Sequence, residues 1–239
     1  MRHHLATIVL GPILLWQGRR VRRTVPLLPE PAGPREGWCG SGAPLRLLVL
    51  GDSAAAGVGA PTQADALTGQ LVAALSGSFQ VQWVLIARTG ATTQAVLEHL
   101  QKIEAQAFDA VVTSLGVNDV TSGLALDDWR RLQGELVALL RSKFQARHVL
   151  LSGLPPMHKF PALPQPLRWY LGSRAKQFDS ALEALAATGS ACEFVKLAYA
   201  MDARDMAADG FHPGPAIYAL WGADLARRIA ARRIAAVQD

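Results

Sequence analysis

Leu45-Arg46-Leu47-Leu48-Val49-Leu50-Gly51-Asp52-Ser53 is a short apolar run closed by a glycine, an acid and a hydroxyl. Six residues is a strand's length rather than a helix's, and a nearly continuous apolar run is the mark of a strand covered on both faces. Similar runs recur at 81–86, 110–114, 148–152 and 193–197, and helix candidates lie between and after them at about 64–76, 92–106, 127–143, 172–187 and 214–235. Short buried strands separated by helices imply right-handed crossovers and a parallel sheet. The sequence therefore predicts an α/β domain with a doubly wound sheet of about five parallel strands. Ligands in such sheets bind beyond the carboxyl ends of the strands. Three motifs fall there: Ser53 after the first strand, Gly90 after the second, and Asn118 after the third within Gly116-Val117-Asn118-Asp119.

At 239 residues the chain suits one good-sized domain, and half of it is hydrophobic. The net charge of +5 invites a nucleic-acid reading until it is located. Residues 1–36 carry six arginines against two glutamates, so +4 of the +5 belongs to this segment and the body is nearly neutral. A nucleic-acid partner is not expected. Cys39 and Cys192 make no disulfide framework and no structural metal site, so no metal is expected and two reduced thiols are.

The chain divides at residue 44: an apolar and basic N-terminal segment with a Pro/Gly-rich linker over 1–44, and the α/β domain over 45–239. The apolar run at 5–16 is followed by Arg19-Arg20-Val21-Arg22-Arg23. Twelve helical residues reach about 18 Å, short of a ~30 Å hydrocarbon core, and Gly11-Pro12 threatens to interrupt them. A basic cluster in place of a small-residue cleavage site argues against a cleaved signal peptide. Three readings stay open: peripheral membrane contact through residues 5–23, folding back over the domain to line its cleft, or an uncleaved export signal. A cytoplasmic protein, associated with a membrane surface or not, is the first expectation; an exported one is the alternative. Residues 24–44, with five prolines, read as irregular.

Ester hydrolysis needs a nucleophile, a base, a group that orients the base, and donors for the oxyanion. Ser53 at a strand-to-helix junction can supply the nucleophile. Asp209-Gly210-Phe211-His212-Pro213 can supply the rest of a triad, with His212 as base and Asp209 as its orienting carboxylate. The backbone N–H groups of Ser53 and Gly90 and the Asn118 amide are candidate oxyanion donors. Asp52 and Asp119 read as acceptors that brace the loops. A P-loop reading of the glycines at 51, 57 and 59 fails, because no Gly-Lys-Ser/Thr follows.

Four blocks, in order and at approximate spacing, resemble the SGNH, or GDSL, hydrolases: Gly51-Asp52-Ser53 with Gly57, the block ending at Gly90, Gly116-Val117-Asn118-Asp119, and Asp209 to Pro213. The resemblance covers residues 45 to about 235. It implies a flavodoxin-like arrangement of the strands and activity on esters or thioesters without a cofactor. A serine ester hydrolase acting on a small-molecule acyl ester, short- to medium-chain and including lipid-like ones, is the leading expectation. A thioesterase, a carbohydrate deacetylase and a non-catalytic acyl- or glycan-binding module are the alternatives; oligomeric state is left open. Within the proline-rich stretch 153–170, Met157, Phe160, Leu163 and Trp169 are candidates for a wall against the acyl chain, or else simply pack the loop onto the domain.

Overall fold

The computed structural model describes residues 2–197 and 204–238, with side chains for 10–197 and 204–234. The apolar side chains at 5–9 therefore lie outside the described residues. Helix α1 spans Arg2–Thr24, followed by strands β1 (Glu36–Cys39) and β2 (Ala43–Gly51). Next come α2 (Ser53–Ala56), α3 (Leu67–Ser76), β3 (Phe79–Ala87), α4 (Thr93–Lys102), β4 (Ala110–Ser114), α5 (Val117–Ser122) and α6 (Leu126–Ser142). The chain continues with β5 (His148–Ser152), a 3-10 turn at Met157–Lys159, α7 (Leu167–Ala186), β6 (Cys192–Val195) and α8 (Pro215–Gln238).

The six strands form one sheet in the order β1-β3-β2-β4-β5-β6. Five of them run parallel, and their order places the second parallel strand outside the first, as in flavodoxin-like sheets. Alternate side chains of β2 point to opposite faces. Leu48 and Leu50 join a core with α4, α6 and α7, while Leu47 and Val49 join one with α3 and α8. Each face of the sheet is covered by its own helical layer, which explains the continuous apolar runs of the strands.

The sequence reading missed β1. The expected irregular linker contains this antiparallel edge strand, paired with β3 from Glu36 opposite Val84 to Cys39 opposite Val81. It is held by main-chain bonds with mostly exposed side chains, so it carries no apolar alternation. The N-terminal segment also differs from expectation, because α1 continues through Pro12. Proline removes one N–H from the helical ladder, and the half beyond it is held by tertiary contacts. Leu14 is buried in the core, and the Gln17 side chain donates to the Gln165 carbonyl (2.7 Å) and accepts from the Leu167 N–H (3.0 Å). That N–H opens α7 and has no acceptor within its own helix. Of the three readings, folding back over the domain is the one that describes residues 10–24. Among the described residues, no helix is long and apolar enough to cross a membrane.

Two arginines of α8 tie the helix to the rest of the domain. Arg228 pairs with Glu193 and Asp224, and Arg233 with Asp109 and the Pro44 carbonyl. Cys39 and Cys192 are free thiols, on the two outermost strands of the sheet.

Candidate active site

β2 ends at Gly51, and the chain turns at once into α2. Asp52 caps this helix through a bond from the Ala54 N–H to its Oδ1 (3.1 Å), which places Ser53 first in the helix with its hydroxyl at the sheet edge. Tyr218 on α8 braces the same turn by donating to the Val58 carbonyl (2.7 Å). The loop carrying Asp209 and His212 comes from the other end of the chain and packs directly on it. A Cβ at Gly59 would stand 2.4 Å from the Pro213 carbonyl oxygen, and the residue's φ is +99°. Only glycine tolerates both the conformation and the approach, and that approach brings the two loops within bonding distance.

The contact they make is linear in its chemistry. His212 Nε2 lies 2.8 Å from Ser53 Oγ, and His212 Nδ1 lies 2.5 Å from Asp209 Oδ2. The other carboxylate oxygen, Oδ1, accepts from the Phe211 N–H (2.9 Å) and the His212 N–H (3.0 Å). Asp209 is buried, with its side chain 2% exposed, while that of His212 is 24% exposed. Burial pushes the Asp209 carboxyl up, but the hydrogen bonds from the His212 ring and backbone and from Phe211 outweigh it. The result lies below the usual carboxylate range. A carboxylate that stays ionised can fix the ring with its proton on Nδ1 and steady the imidazolium that forms when Nε2 takes a proton.

Gly90, Asn118 and Ser53 line one cavity with His212. Gly90 follows β3 in a tight turn at φ +79°, with open space where a Cβ would stand. Glu30 braces this turn, accepting from the Thr89 N–H (2.7 Å) and hydroxyl (2.8 Å) while paired to Arg35 (2.9 Å). Asn118 Nδ2 donates to the Ala91 carbonyl (2.9 Å) and lies 3.4 Å from Asp52 Oδ2, the latter long for a hydrogen bond. Asp119 is buried and accepts from the Thr93 N–H and hydroxyl, and Gln133 in turn donates to that hydroxyl. Asp52 and Asp119 thus brace loops, as expected. Glu30, Gln133 and Tyr218 are supports that the sequence reading missed. Among the described residues there is no cluster of three or more His, Cys, Asp or Glu side chains able to hold a metal ion.

Met157, Phe160 and Leu163 line the cavity, and all three are also buried core residues. The two expectations for this stretch, wall and packing, describe the same side chains. Trp169 is a correction. It is 45% exposed and absent from the cavity wall, because α7 already begins at Leu167 and turns its Leu167–Leu171 face inward. Tyr170 takes a place in the wall instead.

Burial raises the Asp52 carboxyl to about 7, against the lowering effects of the Ala54 N–H and of His212. The sign of the consequence is fixed by linkage: between about pH 4 and pH 7 the folded protein holds a proton that the unfolded chain has released. Stability therefore falls as pH rises through that window. Asn caps helices as well as Asp does, so Asp52→Asn should keep α2 and remove the titration. Urea denaturation should show the wild type losing about 2–3 kcal/mol more than the variant between pH 5 and pH 8. Parallel stability curves would contradict the assignment.

The family model described as GDSL-like Lipase/Acylhydrolase family matches residues 49–220. Among solved structures, a psychrotrophic esterase from Pseudoalteromonas sp. superposes with a TM-score of 0.59 at 19% identity, covering 79% of this chain and 98% of that one. An aryl esterase of M. smegmatis gives 0.60 at 20% identity, covering 78% and 99%. A carbohydrate acetylesterase from Sinorhizobium meliloti gives 0.55 at 20%, covering 78% and 99%. No curated protein matches the chain.

Proposed function

The chain belongs to the GDSL-like lipase/acylhydrolase family and is an esterase/acylhydrolase of that family, and we propose that it cleaves short- to medium-chain acyl esters through an acyl-enzyme on Ser53. The observation that carries this reading is the run of contacts from Ser53 Oγ through His212 to Asp209, at 2.8 and 2.5 Å.

In the proposed reaction His212 Nε2 takes the Ser53 proton as Oγ bonds to the ester carbonyl carbon. The carbonyl oxygen becomes an oxyanion, received by the N–H groups of Ser53 and Gly90 and the Asn118 amide. Ser53 opens α2, and the first N–H groups of a helix have no acceptor within it. Collapse of the intermediate breaks the bond to the alcohol, which leaves with the proton from His212. Water, deprotonated by the same nitrogen, then attacks the acyl-serine, and the acyl–Oγ bond breaks as His212 returns the proton to Ser53 Oγ and the acid leaves. Asp209 stays ionised throughout.

The cavity walls support the acyl-ester reading. The cavity measures about 890 Å³, toward the upper end of the ~300–1,000 Å³ usual for small-molecule sites. Its lining includes Met157, Phe160 and Leu163, together with Leu154 and Leu167. We place an acyl chain there. Ile13 and Trp16 of α1 are exposed, with the Arg20 guanidinium 5.6 Å from the Trp16 ring. These side chains suit contact with an anionic membrane surface.

The test is hydrolysis of p-nitrophenyl esters from acetate to palmitate. Turnover is expected, with an optimum at short to medium chain length. A folded protein inert toward every member would overturn this function and turn attention to thioesters and acylated sugars.

A further inference from the structure

We infer that helix α1 roofs the acyl site and that the bare helix surface at Gly18 sets the length of chain the enzyme accepts. This inference rests on the acyl-ester reading and adds the part of the molecule that measures the substrate.

Gly11, Leu14, Gly18 and Val21 follow one another at spacings of three, four and three, which places them on a single helix face. All four line the cavity that also contains Ser53, Asn118 and His212. The helix is not secured through its glycines. Leu14 packs into the core, and Gln17 is tied to Gln165 and Leu167. At Gly11 and Gly18 nothing lies within 4 Å of the point where a Cβ would stand. Neither glycine is demanded by close packing or by a left-handed backbone, and each costs a helix interior about 1 kcal/mol relative to alanine. Their bare surface leaves room in the cavity that also holds the nucleophile, and the protein's own side chains do not fill it.

An occupant of that room must tolerate apolar walls and reach Ser53. Leu14 and Val21 from the roof and Leu154, Met157 and Leu163 from the body give it apolar walls, and Arg19 and Arg22 of α1 also border the cavity. The roof from residue 11 to residue 21 extends about 15 Å, so a linear acyl chain can run along it with its carbonyl at the serine. Filling the space at Gly18 should then exclude the far carbons of a long chain and leave a short one untouched.

Gly18→Ala and Gly18→Leu, both favourable in a helix, test this on p-nitrophenyl acetate and p-nitrophenyl decanoate. For Gly18→Leu, kcat/KM on decanoate should fall by about tenfold or more while acetate stays within about twofold. Gly18→Ala should shift the same ratio by less. Trypsin cleavage at the arginines of 19–23 reports whether α1 stays docked. If Gly18→Leu is cleaved faster than wild type, Gly18→Ala alone decides the question. An unchanged acetate-to-decanoate ratio, or an equal loss on both esters, overturns the inference. Failure of the functional reading looks different: the wild type would then turn over no ester in a Ser53-dependent way.

Discussion

Ser53→Ala should lower kcat by a factor on the order of 10⁶ and leave the fold intact. The hydroxyl's partner is His212 Nε2, at 2.8 Å, and both side chains line the cavity. Removing it leaves the ring nitrogen facing that cavity, so no buried donor is orphaned and no packed volume is lost. Asp52 still caps α2 through the Ala54 N–H, because that bond does not involve the serine side chain. The residual rate should be that of the oxyanion donors and the binding walls alone. A Ser53→Ala enzyme retaining a tenth of wild-type kcat would mean that another group performs the attack. Thermal unfolding checks that the loss is chemical, and the two proteins should melt within a few degrees of each other.

Asp209→Asn should cost about 10⁴ in kcat, for a reason visible in the hydrogen bonds. One carboxylate oxygen accepts two backbone N–H groups, from Phe211 and His212, and the other faces the ring Nδ1. In asparagine the side-chain oxygen must stay on the two backbone donors, which leaves the amide nitrogen toward Nδ1. That nitrogen donates. It fixes the ring with its proton on Nε2, the position that has to accept the serine's proton. The geometry is kept and the tautomer is reversed, so KM should change far less than kcat. A loss in kcat below about tenfold would show that Asp209 does not set the tautomer.

Much of this site was legible in the sequence, and the reasons are local. β4 and β5 lie at the expected 110–114 and 148–152 because each is a compact apolar run with both faces covered. Ser53, Gly90 and Asn118 were placed together because each follows a parallel strand, and parallel strands end on the same side of a sheet. β1 escaped notice because Glu36-Gly37-Trp38-Cys39 pairs through its main chain and has no apolar face to read. Trp169 was misplaced because apolar residues in a proline-rich stretch have no period. Once α7 is known to start at Leu167, Trp169 lies about 200° around the helix from it, away from the core. The docking of α1 was one of three open readings, since an apolar helix face serves lipid and protein equally well. Gln17 was the overlooked signal: a polar amide beside that face has little use in a bilayer, but it suits the Gln165 carbonyl and the Leu167 N–H.

The central claim is that Ser53 is a nucleophile activated by His212. Its most direct test is reaction with a fluorophosphonate, followed by mass spectrometry of the intact protein and of its peptides. One phosphonyl adduct per chain is expected, located on Ser53, with none formed by Ser53→Ala and with labelling strongly slowed in His212→Ala. A folded wild type that takes up no label, or a label that persists in Ser53→Ala, would contradict it.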